Sequence, residues 1–165
     1  MTITVEDGTG LNNADAYVSI AYCDLYHSNL ENSSWTGTDA VKEAAIRKAT
    51  TYLDSSYSWK GYIVKETQSL GFPRNYLYDK DGRDISNSIP VAVKQAVAEL
   101  ALKALSEDLL SDTSNSDYVK KEKVDVIEIE YQPGVSTQKR YNFVDRLLTG
   151  LILSSSDGLT VNLVR

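Results

Sequence analysis

The stretch PVAVKQAVAELALKALSEDLL, residues 90–110, is the segment whose reading decides the fold. Its polar residues Gln95, Glu99, Lys103 and Ser106 recur at three- and four-residue steps, so on an α-helix they share one narrow stripe. The rest of the circumference is apolar, and a helix of that kind is surrounded by protein. Pro90 suits the first helical turn, where its missing N–H has no partner to lose. At about 1.5 Å per residue the segment predicts a central helix roughly 30 Å long.

Working outward toward the N-terminus, residues 39–56 predict a second helix. Thr38 is placed as N-cap, Asp39 stands in the first turn, and Ala45, Ala49, Tyr52 and Leu53 lie on one face. A third helix is expected from Ser19, a plausible cap, to about Asn29, and residues 2–6 alternate like a short strand. From Tyr57 to Ile89 no helical period survives, and Asp81-Gly82 is a turn signal that folds YLYDKDGRDI into a hairpin. Toward the C-terminus, SDTSNSD reads as a linker. A strand over 123–132 has Ile127, Ile129 and Tyr131 in one phase and Val124 and Val126 in the other, which predicts a bulge near 126–127. QPGV turns the chain into a return strand, giving a β-hairpin at about 123–141. A last helix over 142–153 points Val144, Leu147, Leu148, Leu151 and Ile152 inward.

The fold class that follows is mainly α with β additions (α+β): a small helical bundle around the central helix, the hairpin, and strand-like termini. Residues 1–153 are expected to form one domain. Residues 154–165, SSSDG followed by LTVNLVR, are expected to be a C-terminal arm on a Ser/Gly linker.

Composition narrows the function. The 165 residues suit one core, and no apolar run approaches the roughly 20 residues that span a bilayer. The N-terminus also lacks the basic and apolar regions of a secretion signal, so the expectation is neither membrane-spanning nor secreted. Seventeen Lys and Arg against 23 Asp and Glu give −6. Residues 1–40 hold six acids and no Lys or Arg, so they carry the whole −6. A protein gripping DNA by its phosphates shows a basic surplus, and this chain has none. Eleven Tyr against two Phe and two Trp favour half-wet surfaces and subunit interfaces.

The chemical motifs are sparse. Cys23 and His27 stand at i and i+4, as a nucleophilic dyad would, but no third group orients the imidazole, and a packed Cys beside a surface His is the favoured reading. DKDGRD at 79–84 resembles a calcium loop, yet counting from Asp79 puts Asp84 at position six and Pro90 at twelve, where Gly and Glu are required. GTG at 8–10 has no phosphate-loop ending. No catalytic, metal or cofactor site is assigned, and an enzyme is not expected. Residues 59–78 interleave Trp59, Tyr62, Phe72, Tyr76 and Tyr78 with Lys60, Lys65 and Arg74. Single-stranded nucleic acid binders use that pattern to stack bases and neutralise phosphates. The acidic balance favours instead an aromatic loop packed on its own core or on a neighbouring subunit.

Six pieces in order carry a family resemblance: VEDGTGLNNADAYVS (5–19), DAVKEAAIRKATTYLD (39–54), GFPRNYLYDKDGRDI (71–85), IPVAVKQAVAELALKAL (89–105), VKKEKVDVIEIEY (119–131) and LTVNLVR (159–165). Together they resemble the head–tail connector, or head-completion adaptor, proteins of tailed bacteriophages. Such sequences are also labelled DnaT-like single-stranded DNA binding proteins. The first resemblance implies a virion protein of the neck, assembled in the bacterial host cytoplasm, with copies forming a ring of twelve. Its partners would be the portal above, a tail or neck protein below, and genomic DNA sliding through the channel without sequence-specific contacts. The second implies a single-stranded DNA binding accessory of phage replication, with residues 59–78 as its groove. The candidate contact residues are Asp15, Arg47 and Lys48, where acidic 1–40 would meet a more basic stretch of the next subunit. Trp59, Tyr62, Phe72, Arg74, Tyr76 and Tyr78 belong to the aromatic loop, and Leu159, Val161 and Leu163 to the arm, which would add as a strand to a partner.

Overall fold

The computed structural model describes residues 2–109, 121–124, 127–130 and 141–153, the two middle segments by their backbone only. In chain order the elements are α1 (Ile20–Asn29), α2 (Asp39–Ser56), β1 (Tyr62–Ile63), β2 (Arg74–Asn75), α3 (Val91–Ala104), β3 (Lys121–Val124), β4 (Ile127–Glu130) and α4 (Asn142–Leu147). The architecture is helical with small β additions.

α3 is the central helix that its sequence requires. It packs chiefly against α2 and also touches α1 and α4. Val93, Ala96, Val97, Ala98, Leu100 and Ala101 are buried, and the alanines let the facing helices approach closely. Opposite them α2 buries Ala45, Ile46, Ala49, Tyr52 and Leu53. Each fully buried side chain of Leu or Val size contributes about 1.5–3 kcal/mol of transfer free energy.

α3 is shorter than its sequence predicts. It runs 14 residues, about 21 Å, rather than to residue 110. Pro90 is the N-cap, one residue before the first turn, and its carbonyl accepts from the Val93 and Lys94 amides. At the other end the Ser106 hydroxyl takes the Lys103 carbonyl, competing with helical bonding there. α4 is also short. Gly150 at φ +94 turns the chain after Leu148, and Ile152 then forms an antiparallel bridge with Trp59. Val144, Leu148 and Leu151 are buried, whereas Leu147 and Ile152 are only half-buried.

Two β expectations are corrected. Residues 2–6 form no strand. They make one parallel bridge, Val5 to Ala16, and the stretch has no ladder to join. The expected hairpin is present, with its described strands at 121–124 and 127–130: β3 and β4 pair antiparallel with Val124 opposite Ile127 and Lys121 opposite Glu130. The change of phase between Val124 and Ile127 therefore separates two strands instead of marking a bulge in one. The expected QPGV turn, the return strand and the arm lie outside the described residues.

Candidate partner interface

The segment from Tyr57 to Ile89 holds most of the candidate contact residues, and its geometry sorts them. The organising group is Asp54, near the C-terminal end of α2. Its carboxylate accepts from the Tyr17 hydroxyl at 2.8 Å, the Trp59 indole N–H at 3.2 Å and the Gly71 amide at 2.9 Å. The Tyr17 oxygen in turn accepts from the Phe72 amide at 3.1 Å. Burial raises the Asp54 carboxyl above its ordinary value, against the donors that favour its charge. Burial, reinforced by the Asp54 charge, also pushes the Tyr17 phenol far up, so it stays a donor.

Trp59 and Phe72 are consequently core residues. They are 8% and 0% exposed and meet edge to face, with ring centres 4.9 Å apart. Gly71 has no room for a side chain, since a Cβ there would stand 2.8 Å from Asp54 Oδ1. The Phe72–Pro73 peptide is cis. Arg74 is also turned inward. Its Nε donates to the Lys60 carbonyl at 2.7 Å, Nη1 to Gly71 at 3.0 Å, and Nη2 to Gly61 at 2.8 Å. The guanidinium fork thus clamps β2 to the strand-entry loop, using the fixed donor geometry that distinguishes Arg from Lys.

The candidate residues of this segment that remain outside are three tyrosines. Tyr62 and Tyr76 are 71% and 73% exposed and lie edge to face at 6.4 Å across the β1–β2 ladder. Ile63 beside them and Tyr78 further on are also exposed. Gly61, at φ +71, lets the chain enter this hairpin, because a Cβ there would strike the Asn75 carbonyl oxygen.

Two acids of the N-terminal quarter, Asp15 and Asp24, find cations within the same chain. Asp15 accepts from Arg47 Nε at 2.8 Å and from the Thr4 amide at 2.8 Å, tying the N-terminal segment to α2. Asp24 accepts from Lys42 at 2.7 Å and from the Trp35 indole at 2.6 Å. Glu6 is buried, and its carboxylate takes the amides of Gly8, Gly10 and Leu11. Lys48 reaches Asp108 at 3.9 Å, both side chains exposed, a contact of little energetic weight. Leu159, Val161 and Leu163 lie outside the described residues.

The remaining motifs are structural. Burial pushes the Cys23 thiol up to about 12, which removes the thiolate a nucleophile needs. His27, expected at the surface, is buried instead. Its Nε2 donates to the Ala98 carbonyl at 3.1 Å, and its Nδ1 has no partner among the described residues. The Asp79 carboxylate is filled by the Asp81 and Arg83 amides and by the Arg83 guanidinium, so 79–84 is a self-satisfied turn.

Sequence reading missed Asp54, Tyr17 and Glu6. Asp54 did leave a signal: a carboxylate near the negative end of a helix dipole is unfavourable unless donors meet it. Residues 1–165, the entire chain, match the family model described as "Putative DnaT-like ssDNA binding protein". The chain belongs to that family. No curated protein and no solved structure matches it. The family description concerns single-stranded DNA, which is the second of the two resemblances read from the sequence; the connector resemblance has no counterpart among these matches.

Proposed function

We propose that this chain is a non-enzymatic assembly subunit of a bacteriophage neck, a ring-forming adaptor between portal and tail that continues the DNA channel. One observation carries the proposal: the side chains a strand-binding groove would need face inward. Trp59 and Phe72 are in the core and Arg74 is clamped on backbone carbonyls. The exposed Tyr62–Tyr76 pair, with Tyr78 exposed further along the chain, offers aromatic side chains of the kind that protein interfaces use as anchors. An acidic chain also suits a channel in which DNA must slide. No cofactor or catalytic step enters this reading.

A second reading is single-stranded DNA binding in phage replication. The family description favours it, and the exposed Tyr62–Tyr76 pair offers two rings on which bases can stack. Lys60 and Lys65 are its available cations. Trp59→Ala is no test of it, because that substitution opens the core.

The deciding experiment pairs electron microscopy of the purified protein and of virion necks with an oligonucleotide titration across salt. The adaptor reading expects rings, the protein in the neck, and no oligonucleotide binding at about 0.15 M salt, where weak phosphate contacts are screened. Salt-dependent binding that Tyr62→Ala abolishes, with no protein in the virion, overturns it in favour of the second reading.

A further inference from the structure

A groove of about 530 Å³ runs between the 79–84 turn, the start of α3 and the segment after α4. Its apolar wall consists of Ile85, Ile89, Val91, Leu147 and Leu151. Its rim carries two carboxylates, Asp79 and Asp84, and two cations, Lys80 and Arg83, so it has no net charge. The volume lies within the roughly 300–1,000 Å³ typical of sites that enclose a small ligand. It is enough for a pair of phenol rings.

We propose that this groove receives the Tyr62–Tyr76 hairpin of a second copy of the chain, making the head-to-tail contact of the ring; the inference rests on the adaptor reading. Every copy carries both parts: an aromatic knob and a neutral apolar groove. A heterologous interface requires two such unlike surfaces on one subunit. The knob is preorganised, because Arg74 fastens the carbonyls of Lys60 and Gly61 beneath it, and a fixed anchor loses little entropy on docking. The exposed tyrosine pair and the neutral groove match each other in polarity, whereas neither attracts phosphate.

The area sets the strength. Two tyrosines bury at most about 500 Å², less than the roughly 800 Å² per partner of a standard stable interface. One contact alone is therefore weak, and association is concentration-dependent until the ring closes.

Tyr76→Cys and Val91→Cys proteins, mixed and treated with a short bis-maleimide, test the contact. The native Cys23 is buried with its thiol pushed up to about 12, so it stays silent. The mixture is expected to give several-fold more cross-linked dimer than Tyr76→Cys mixed with Leu25→Cys, an exposed position on α1. Equal yields overturn the proposal, as does protection of Tyr76→Cys by oligonucleotide in place of self-association. Sedimentation of the wild type up to about 1 mM separates the two levels. Oligomers that persist in a folded Tyr62→Ser/Tyr76→Ser variant refute this contact and leave the ring standing. A wild type that stays monomeric throughout, with no ring in virion necks, refutes both.

Discussion

At the residue scale, two ionisable groups, the buried His27 and the half-buried Asp54, make opposite claims on pH. His27 is the only histidine in the chain, and burial lowers its pKa below the ordinary value near 6.5, outweighing the Ala98 carbonyl and the Glu99 and Asp24 charges. Lys42 acts in the same direction as burial. The folded protein thus binds a proton less readily than the unfolded chain. The contribution of His27 to stability is complete above the unfolded pKa near 6.5 and is lost as pH falls from there through the lower pKa of the folded state. Thermal melts from pH 7.5 to 5.5 should show this decline, and His27→Gln, which keeps a donor for Ala98, should flatten it. An unchanged slope in that variant would sink the assignment. Asp54 acts in a lower window. Its raised pKa means the folded state holds that proton more tightly, so its contribution favours folding as pH falls toward the carboxylate range. Removing the carboxylate is another matter. Asp54→Ala strands the Tyr17 hydroxyl, the Trp59 indole and the Gly71 amide, and urea titration should show a loss of about 3 kcal/mol.

At the scale of the elements, two helix starts that look alike in sequence differ in structure. The Ser19 hydroxyl accepts from the Tyr22 amide at 3.2 Å, whereas Thr38 makes no side-chain cap bond. Ser19→Ala should cost about 1 kcal/mol and Thr38→Ala only a few tenths; equal costs by urea titration would contradict the difference. α2 was legible to the residue, because the alternation of Ala45, Ala49, Tyr52 and Leu53 with charged positions is a local pattern that tertiary packing reinforces. α3 was legible in kind but not in length, since the Ser106 hydroxyl competes for the Lys103 carbonyl at its end. The β1–β2 hairpin was not legible. Its two-residue strands exist because Arg74 finds carbonyls from residues 60, 61 and 71, and no local pattern announces a side-chain clamp. For the same reason Trp59 and Phe72 looked like surface anchors: aromatics next to cations read identically whether the loop faces solvent or folds back on Asp54.

At the scale of the whole molecule, the fold closes through its last described residues. The Lys60 amide donates to the Leu151 carbonyl at 2.9 Å, the Leu153 amide donates to Ser58 at 2.8 Å, and Leu151 is buried. A chain ending at Leu148 should therefore be at least about 2 kcal/mol less stable than one ending at Leu153, measured by urea titration of the two truncations. Equal stability would mean that this closure adds nothing. Part of the charge of the first forty residues is also met at this scale. The −6 of the first forty residues looked like one pole of a subunit, yet Asp15, Asp24 and Glu6 are engaged with Arg47, Lys42 and backbone amides of the same chain. The acids organise the N-terminal segment first, and any partner meets what they leave over.

The Asp54 cluster has a consequence for how this family can diverge. One carboxylate serves Tyr17, Trp59 and Gly71, and the Tyr17 oxygen serves Phe72, so loss of the acid strands its three donors and loss of the Tyr17 hydroxyl strands the Phe72 amide. Substitutions at positions 17, 54 and 59 should therefore be strongly non-additive. Across related sequences these positions should change together or not at all: a lineage that gives up the acid must give up the hydroxyl in the same step, and the spacing from α2 to the loop becomes a heritable signature of the fold.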